Sequence, residues 1–255
     1  MIKIKKYGWK PSLPDQRDRK FGMKFMMMAT PLPPSVDLSG GMPAVYNQGS
    51  LGSCTANAGA GLGEFLMKKL NKKDVYTPSR LAIYYWTRIR EGTVNEDSGA
   101  SLRNTMMVLS GIGCPHESLW PYKISRFRVK PTKPVITDAN KHKVGEYVRL
   151  NNTNLNELKQ CLAMGFPFMF GFAVYDSFES ATVAKTGIMP MPKPSESLRG
   201  GHAVLCLGYS DEEQMFTVRN SWGSNWGKSG NFKMPYAYMT NGELSQDFWS
   251  CHTIN

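Results

Sequence analysis

The sequence predicts an α+β chain with two unlike lobes, helices filling the first half and antiparallel strands the second. Two observations carry this. Between residues 55 and 110 apolar side chains recur at helical spacing in three stretches. Beyond residue 165 they come as short β-prone runs, at 166–174, 202–209 and 215–219. A chain of 255 residues, 41% hydrophobic, has enough apolar side chains for one large domain or two small lobes.

In chain order, residues 1–32 form a basic extension with prolines and weak periodicity. Gly8-Trp9-Lys10-Pro11 reads as extended backbone, because a residue before proline is pushed out of the helical region. Trp9 and Phe25 are large apolar groups in this polar stretch, either stray aromatics of a tail or anchors that dock on the rest of the chain. Residues 47–53 hold three serines or asparagines and two glycines, a turn-rich loop. The first helix follows over 55–70, with Ala58, Leu62, Phe65 and Leu66 on one face and Ser53 as its N-cap. Pro78 at the first helical position opens a second, aromatic helix from Leu81 to Ile89. The acidic pair Glu96 and Asp97 reads as solvated or helix-dipole charge before a third helix over 102–110. Residues 119–122 cross between the lobes, and the Lys-, Arg- and Pro-rich stretch 123–134 reads as an exposed loop. A helix over 154–164 turns Leu155, Leu158 and Leu162 inward and stops at Gly165. Residues 193–199 form a loop before the strand that begins at His202.

Composition narrows the function classes. The formal charge of +11 suits a solvated basic surface, acidic substrates or an anionic surface; no nucleic-acid-binding motif accompanies it, so nucleic acid is not an expected partner. No stretch approaches the ~20 apolar residues of a membrane span. The basic start, Met1 to Lys6, is not followed by an apolar signal-peptide core. Five cysteines without paired spacing read as reduced thiols, which favours a cytoplasm-like compartment. No Cys/His group has zinc-ligand spacing, since Cys114 and His116 lack a second pair; neither a metal nor a cofactor is expected. His116, His142 and His252 read as surface or locally bonded histidines.

Cys54 stands apart because it falls where the loop becomes the helix. Unpaired N–H groups at a helix N-terminus favour a thiolate and can hold an oxyanion. A buried structural cysteine is the commoner role for such a residue. Two later blocks favour a nucleophile: Gly200-Gly201-His202-Ala203 before an apolar strand, and Arg219-Asn220-Ser221-Trp222-Gly223-Ser224-Asn225-Trp226-Gly227.

With Gln48-Gly49-Ser50-Leu51-Gly52-Ser53-Cys54, these blocks resemble the three catalytic blocks of papain-like cysteine peptidases, in the family's order and near its spacing, over residues 32–255. The resemblance implies a papain-like fold: a helical lobe over about 45–122, a β-rich lobe over about 123–245 with a strand from 33–44 packed on it, and a cleft between them. It implies an endopeptidase working through an acyl-enzyme on polypeptide substrates, with Cys54 as nucleophile, His202 as base and Asn220 as its orienter. Gln48 would donate to the oxyanion and Trp222 would shield the Asn220–His202 contact. Gly99, Ala100 and Gly201 would line the bound peptide. Leu51 and Thr55 replace a cysteine and an aromatic usual in secreted members, which points to a bacterial or viral branch. Residues 1–32 are then a short pro-segment lying over the cleft or a plain tail. A transpeptidase or deamidase with the same three residues, a peptide-binding pseudoenzyme and a basic nucleic-acid-binding module are the competing readings.

Overall fold

The structure is a computed structural model that describes residues 7–22 and 31–255; Phe25 lies outside them. Strand β1 (Ser35–Asp37) leads to the loop before helix α1 (Cys54–Lys69). Helices α2 (Arg80–Arg90) and α3 (Leu102–Gly111) pack on it. Every residue of α1 from Cys54 to Met67 is buried, so it is a central helix rather than a one-faced one.

Helix α2 begins two residues later than its proline suggests. Pro78 instead bridges to His116, and the Ser79 hydroxyl caps the helix by accepting from the Ala82 N–H at 3.2 Å. Ser101 caps α3 in the same way, accepting from Asn104 N–H at 3.3 Å. Ser53 does not act so: its hydroxyl pairs with Tyr122 Oη at 2.6 Å, and no side chain caps α1. The stretch expected to be an exposed loop is mostly exposed or half-buried, with a short 3-10 turn at Ile124–Arg126; only its end enters helix α4 (Lys133–Ala139), where Pro134 lies in the first turn and Val135 and Ala139 are buried.

Strand β2 (Tyr147–Arg149), helix α5 (Leu155–Ala163), strands β3 (Phe168–Tyr175), β4 (Leu198–Ser210), β5 (Met215–Arg219), β6 (Asn231–Pro235) and β7 (Ser245–Cys251) follow. Helix α6 (Ala181–Thr186) lies between β3 and β4, and α7 (Tyr236–Thr240) between β6 and β7. The strands make one antiparallel sheet in the order β2-β7-β3-β4-β5-β6, with β1 paired to β4.

Side chains alternate across a strand, and the central strands bury both faces. Phe168, Phe170 and Phe172 of β3 and Val204 and Cys206 of β4 join one core; Met169, Ala203, Leu205 and Leu207 join the other with the helices. That is why β3 and β4 read as unbroken apolar runs. Strand β4 starts at Leu198, so its first residues replace the loop expected there. No helix among the described residues is long and apolar enough to cross a membrane.

Candidate active site

Helix α1 and strand β4 meet where Cys54 and His202 stand, both fully buried. His202 Nε2 and Asn220 Oδ1 are 2.8 Å apart. The same Oδ1 accepts the Ser221 N–H at 2.8 Å, which fixes the amide so that oxygen faces the ring. Nε2 therefore carries the proton, and Nδ1 is left as the basic nitrogen. The Trp222 ring stacks on the imidazole, centroids 4.9 Å apart. It lies over the histidine ring.

Gln48 is completely buried and held on every side. Its N–H donates to Ser221 O at 2.9 Å, its Oε1 accepts from Ser221 Oγ at 2.7 Å, and its Nε2 donates to Leu51 O at 2.9 Å. Below the loop, Tyr122 Oη donates to Gln48 O at 2.9 Å while holding Ser53 Oγ. Asp97 accepts the Gly52 N–H at 3.1 Å and the Tyr84 hydroxyl at 2.6 Å. The sequence reading of Asp97 as solvated charge is thus corrected: it braces the Cys54 loop. No local pattern marks that role, because its partners lie 45 and 13 residues away.

The first extended residues of the chain lie across this site. Trp9 N–H donates to Gly201 O at 3.0 Å; Ala100 N–H donates to Gly8 O at 2.7 Å and Lys10 N–H to Ala100 O at 3.1 Å, a parallel bridge. Ala100 and Gly201 thus offer backbone groups to this segment. Gly99 does not, since its N–H donates to Tyr84 Oη and its carbonyl accepts from Ser98. Gly8 passes so close to the Cys54 loop that a Cβ there would come within 1.9 Å of Gly52 O. The Tyr7 ring sits 5.9 Å from that of His202, and its hydroxyl bonds Glu179.

Trp9 fills a recess floored by glycine. A Cβ on Gly171 would lie 1.9 Å from the indole. Its Nε1 donates to Asp247 Oδ2 at 3.4 Å, and Ser12 N–H and Oγ reach the same oxygen at 3.1 and 2.8 Å. Asp247 adopts a φ of 66°, costly for a non-glycine residue, at an irregularity where β7 shifts register against β3. Trp249 Nε1 steadies it by donating to Oδ1 at 3.1 Å.

Electrostatics differ from the sequence expectation in one respect. Burial pushes the Cys54 thiol up to about 11, against the backbone amides of Ala203, Gly8, Thr55 and Cys54 itself, which pull it down. The helix N-terminus acts in the expected direction, but desolvation under the Gly8 segment outweighs it. All five cysteines are free.

Comparison with known proteins fits this geometry. The family model for papain family cysteine proteases matches residues 32–248. An uncharacterised peptidase C1-like protein of Acanthamoeba polyphaga mimivirus is 42% identical over 210 residues, which is 80% of this chain and 68% of that protein. The crystal structure of xylellain, a cysteine protease from Xylella fastidiosa, superposes with a TM-score of 0.90 at 41% identity, covering 98% of this chain and 96% of xylellain. A procathepsin B from Trypanosoma congolense shares the fold, with a TM-score of 0.76 at 16% identity over 98% of this chain and 86% of its own. By the matched family model, the fold and these two relatives at over 40% identity, the chain belongs to the papain family of cysteine proteases.

Proposed function

We propose that this cysteine protease is an endopeptidase that cuts extended polypeptides through an acyl-enzyme on Cys54, and that residues 7–12 keep it inactive until they are displaced. In the reaction His202 Nδ1 takes the Cys54 proton and the sulfur attacks the scissile carbonyl carbon. The carbonyl oxygen becomes an oxyanion held by Gln48 Nε2–H and the Cys54 N–H. The imidazolium then protonates the leaving amine, and a water, deprotonated by the same nitrogen, releases the acyl group. Asn220 holds the ring in the tautomer this needs.

The observation that carries the reading is the pairing of residues 8–10 with Ala100 and Gly201. The groove takes an extended backbone by adding its hydrogen bonds to the walls, as peptide-binding edges do. The bound segment is in a register that resists cleavage: the Gly8 carbonyl oxygen is held by Ala100 N–H instead of facing the Gln48 and Cys54 donors. Because the segment is tethered to the enzyme, its effective concentration is high and weak docking suffices. With Trp9 gone, Asp247 would face an emptied recess and favour a basic side chain there; a cleavage profile over a peptide library reads this, and indifference to charge at that subsite would contradict it.

Gly8→Ala tests the whole reading, because the added methyl collides with Gly52 O and removes no contact. Labelling of Cys54 by a thiol-directed epoxide is expected to be slow in the full chain at neutral pH. It should rise as pH climbs toward about 11, since a raised thiol pKa keeps the sulfur protonated below it. Gly8→Ala should label at neutral pH and gain peptide hydrolysis. Equal labelling of both proteins across that range would dismiss the inhibitory role, and a labelled but non-hydrolysing variant would dismiss the peptidase mechanism.

A further inference from the structure

We infer that His116, Asp138 and His142 form a binding site for one zinc-class divalent metal ion on the helical side of the molecule, separate from the cleft. Asp138 lies on the last turn of α4, and His142, four residues on, faces the same side. His116 comes from the loop that bridges to Pro78 before α2. Among the described residues these three bring one ligand atom each to within 4.8 Å of one another.

The distances suit a small ion after a modest adjustment. His116 Nδ1 is 2.8 Å from Asp138 Oδ2, and His142 Nε2 is 3.9 Å from Asp138 Oδ1. Ligands at about 2.0–2.1 Å from tetrahedral zinc stand about 3.3 Å apart, a value between these two separations. The two imidazoles meet edge to face, at 75°, and the Tyr76 ring walls them in, stacked on His116 with centroids 3.5 Å apart. The three side chains are 16–22% exposed, which leaves room for a water as fourth ligand.

A second feature also belongs to metal sites. His116 Nε2 lies 2.9 Å from Asp74 Oδ2. A metal-ligating histidine usually gives its other ring N–H to a carboxylate, which fixes the tautomer and ring orientation. Asp74 in that role leaves Nδ1 for the metal. Sequence spacing hides the site, because His116 is 22 residues from Asp138 and one ligand is a carboxylate.

The ion would tie the 114–117 loop to the end of α4, segments that no disulfide joins, with Asp74 holding His116 from a third stretch. That loop carries Glu117, which accepts two hydrogen bonds from the Arg80 guanidinium, at 2.8 and 2.6 Å, and Arg80 reaches Asn57 in the nucleophile helix. A metal here would stiffen the lobe that presents Cys54.

The test uses Cys54→Ala protein, so that the catalytic thiol cannot bind the probe. After chelator treatment it is titrated with zinc chloride by calorimetry and melted with and without zinc. One equivalent should bind and raise the melting temperature. His142→Gln should weaken binding roughly tenfold or more, and zinc should raise its melting temperature less than that of the parent protein. Absence of zinc binding, or binding of equal strength in His142→Gln and Asp138→Asn, would overturn the assignment.

Discussion

Cys54→Ala is expected to abolish peptide hydrolysis, by about a millionfold once the Gly8 segment no longer covers the site, because loss of a nucleophile or its base removes a unit of the mechanism. His202→Ala should do nearly the same. Asn220→Ala should cost less, roughly 10⁴-fold at most, because it removes orientation and tautomer control but not the proton acceptor. Gln48→Ala should cost about 2.7–4 kcal/mol of transition-state stabilisation, mainly in kcat. It also strips partners from Ser221 Oγ and Leu51 O, so a thermal melt must accompany the kinetics. Stopped peptide cleavage with an intact melt is the expected result; undiminished turnover in the Cys54 variant would end the acyl-enzyme mechanism.

Two truncations should diverge. Removing residues 1–12 takes away Tyr7, Gly8, Trp9 and Ser12, the groups over His202, Cys54 and Asp247, and should release activity. Removing residues 1–30 also takes Asp18 and Phe21. The Asp18 side chain, 8% exposed, binds Arg103 on α3 and Arg149 on β2 at 2.6 and 2.9 Å. Phe21 is 1% exposed within the sheet's core and donates its N–H to Arg149 O at 2.9 Å. Losing a buried phenylalanine costs about 3–5 kcal/mol. At 2–4 °C per kcal/mol for a chain of this size, the longer truncation should melt roughly 10 °C lower than the shorter one. The inhibitory and bracing parts of the extension would then be separable by calorimetry beside an activity assay. Equal melting temperatures would make residues 13–30 dispensable, and an inactive short truncation would remove the inhibitory role from residues 7–12.

Much of the molecule was legible in its residues because the relevant forces act locally. Helix α1 and helix α3 follow from side-chain periodicity, and α3 also has a serine cap within four residues. Strand β5 matches its predicted span because the apolar run is bounded by polar residues on both sides. The blocks around Cys54, His202 and Asn220 could be read as one site because each keeps its own short pattern. Other features depend on partners distant in the chain. Helix α4 is short, and its two buried residues make sense only against the packed core. Strands β2, β6 and β7 carry weak local signals and are defined by the strands they pair with. Asp97 reads as solvated charge until folding brings Gly52 to it, and Asp138 carries no signal until folding brings His116 to it. The state of Cys54 shows the difference most clearly. Its place at a helix start, set by neighbouring residues, favours the thiolate. Its burial belongs to the tertiary fold, which brings strand β4 and the Gly8 segment to it from distant parts of the chain; desolvation is the larger effect and raises the thiol pKa.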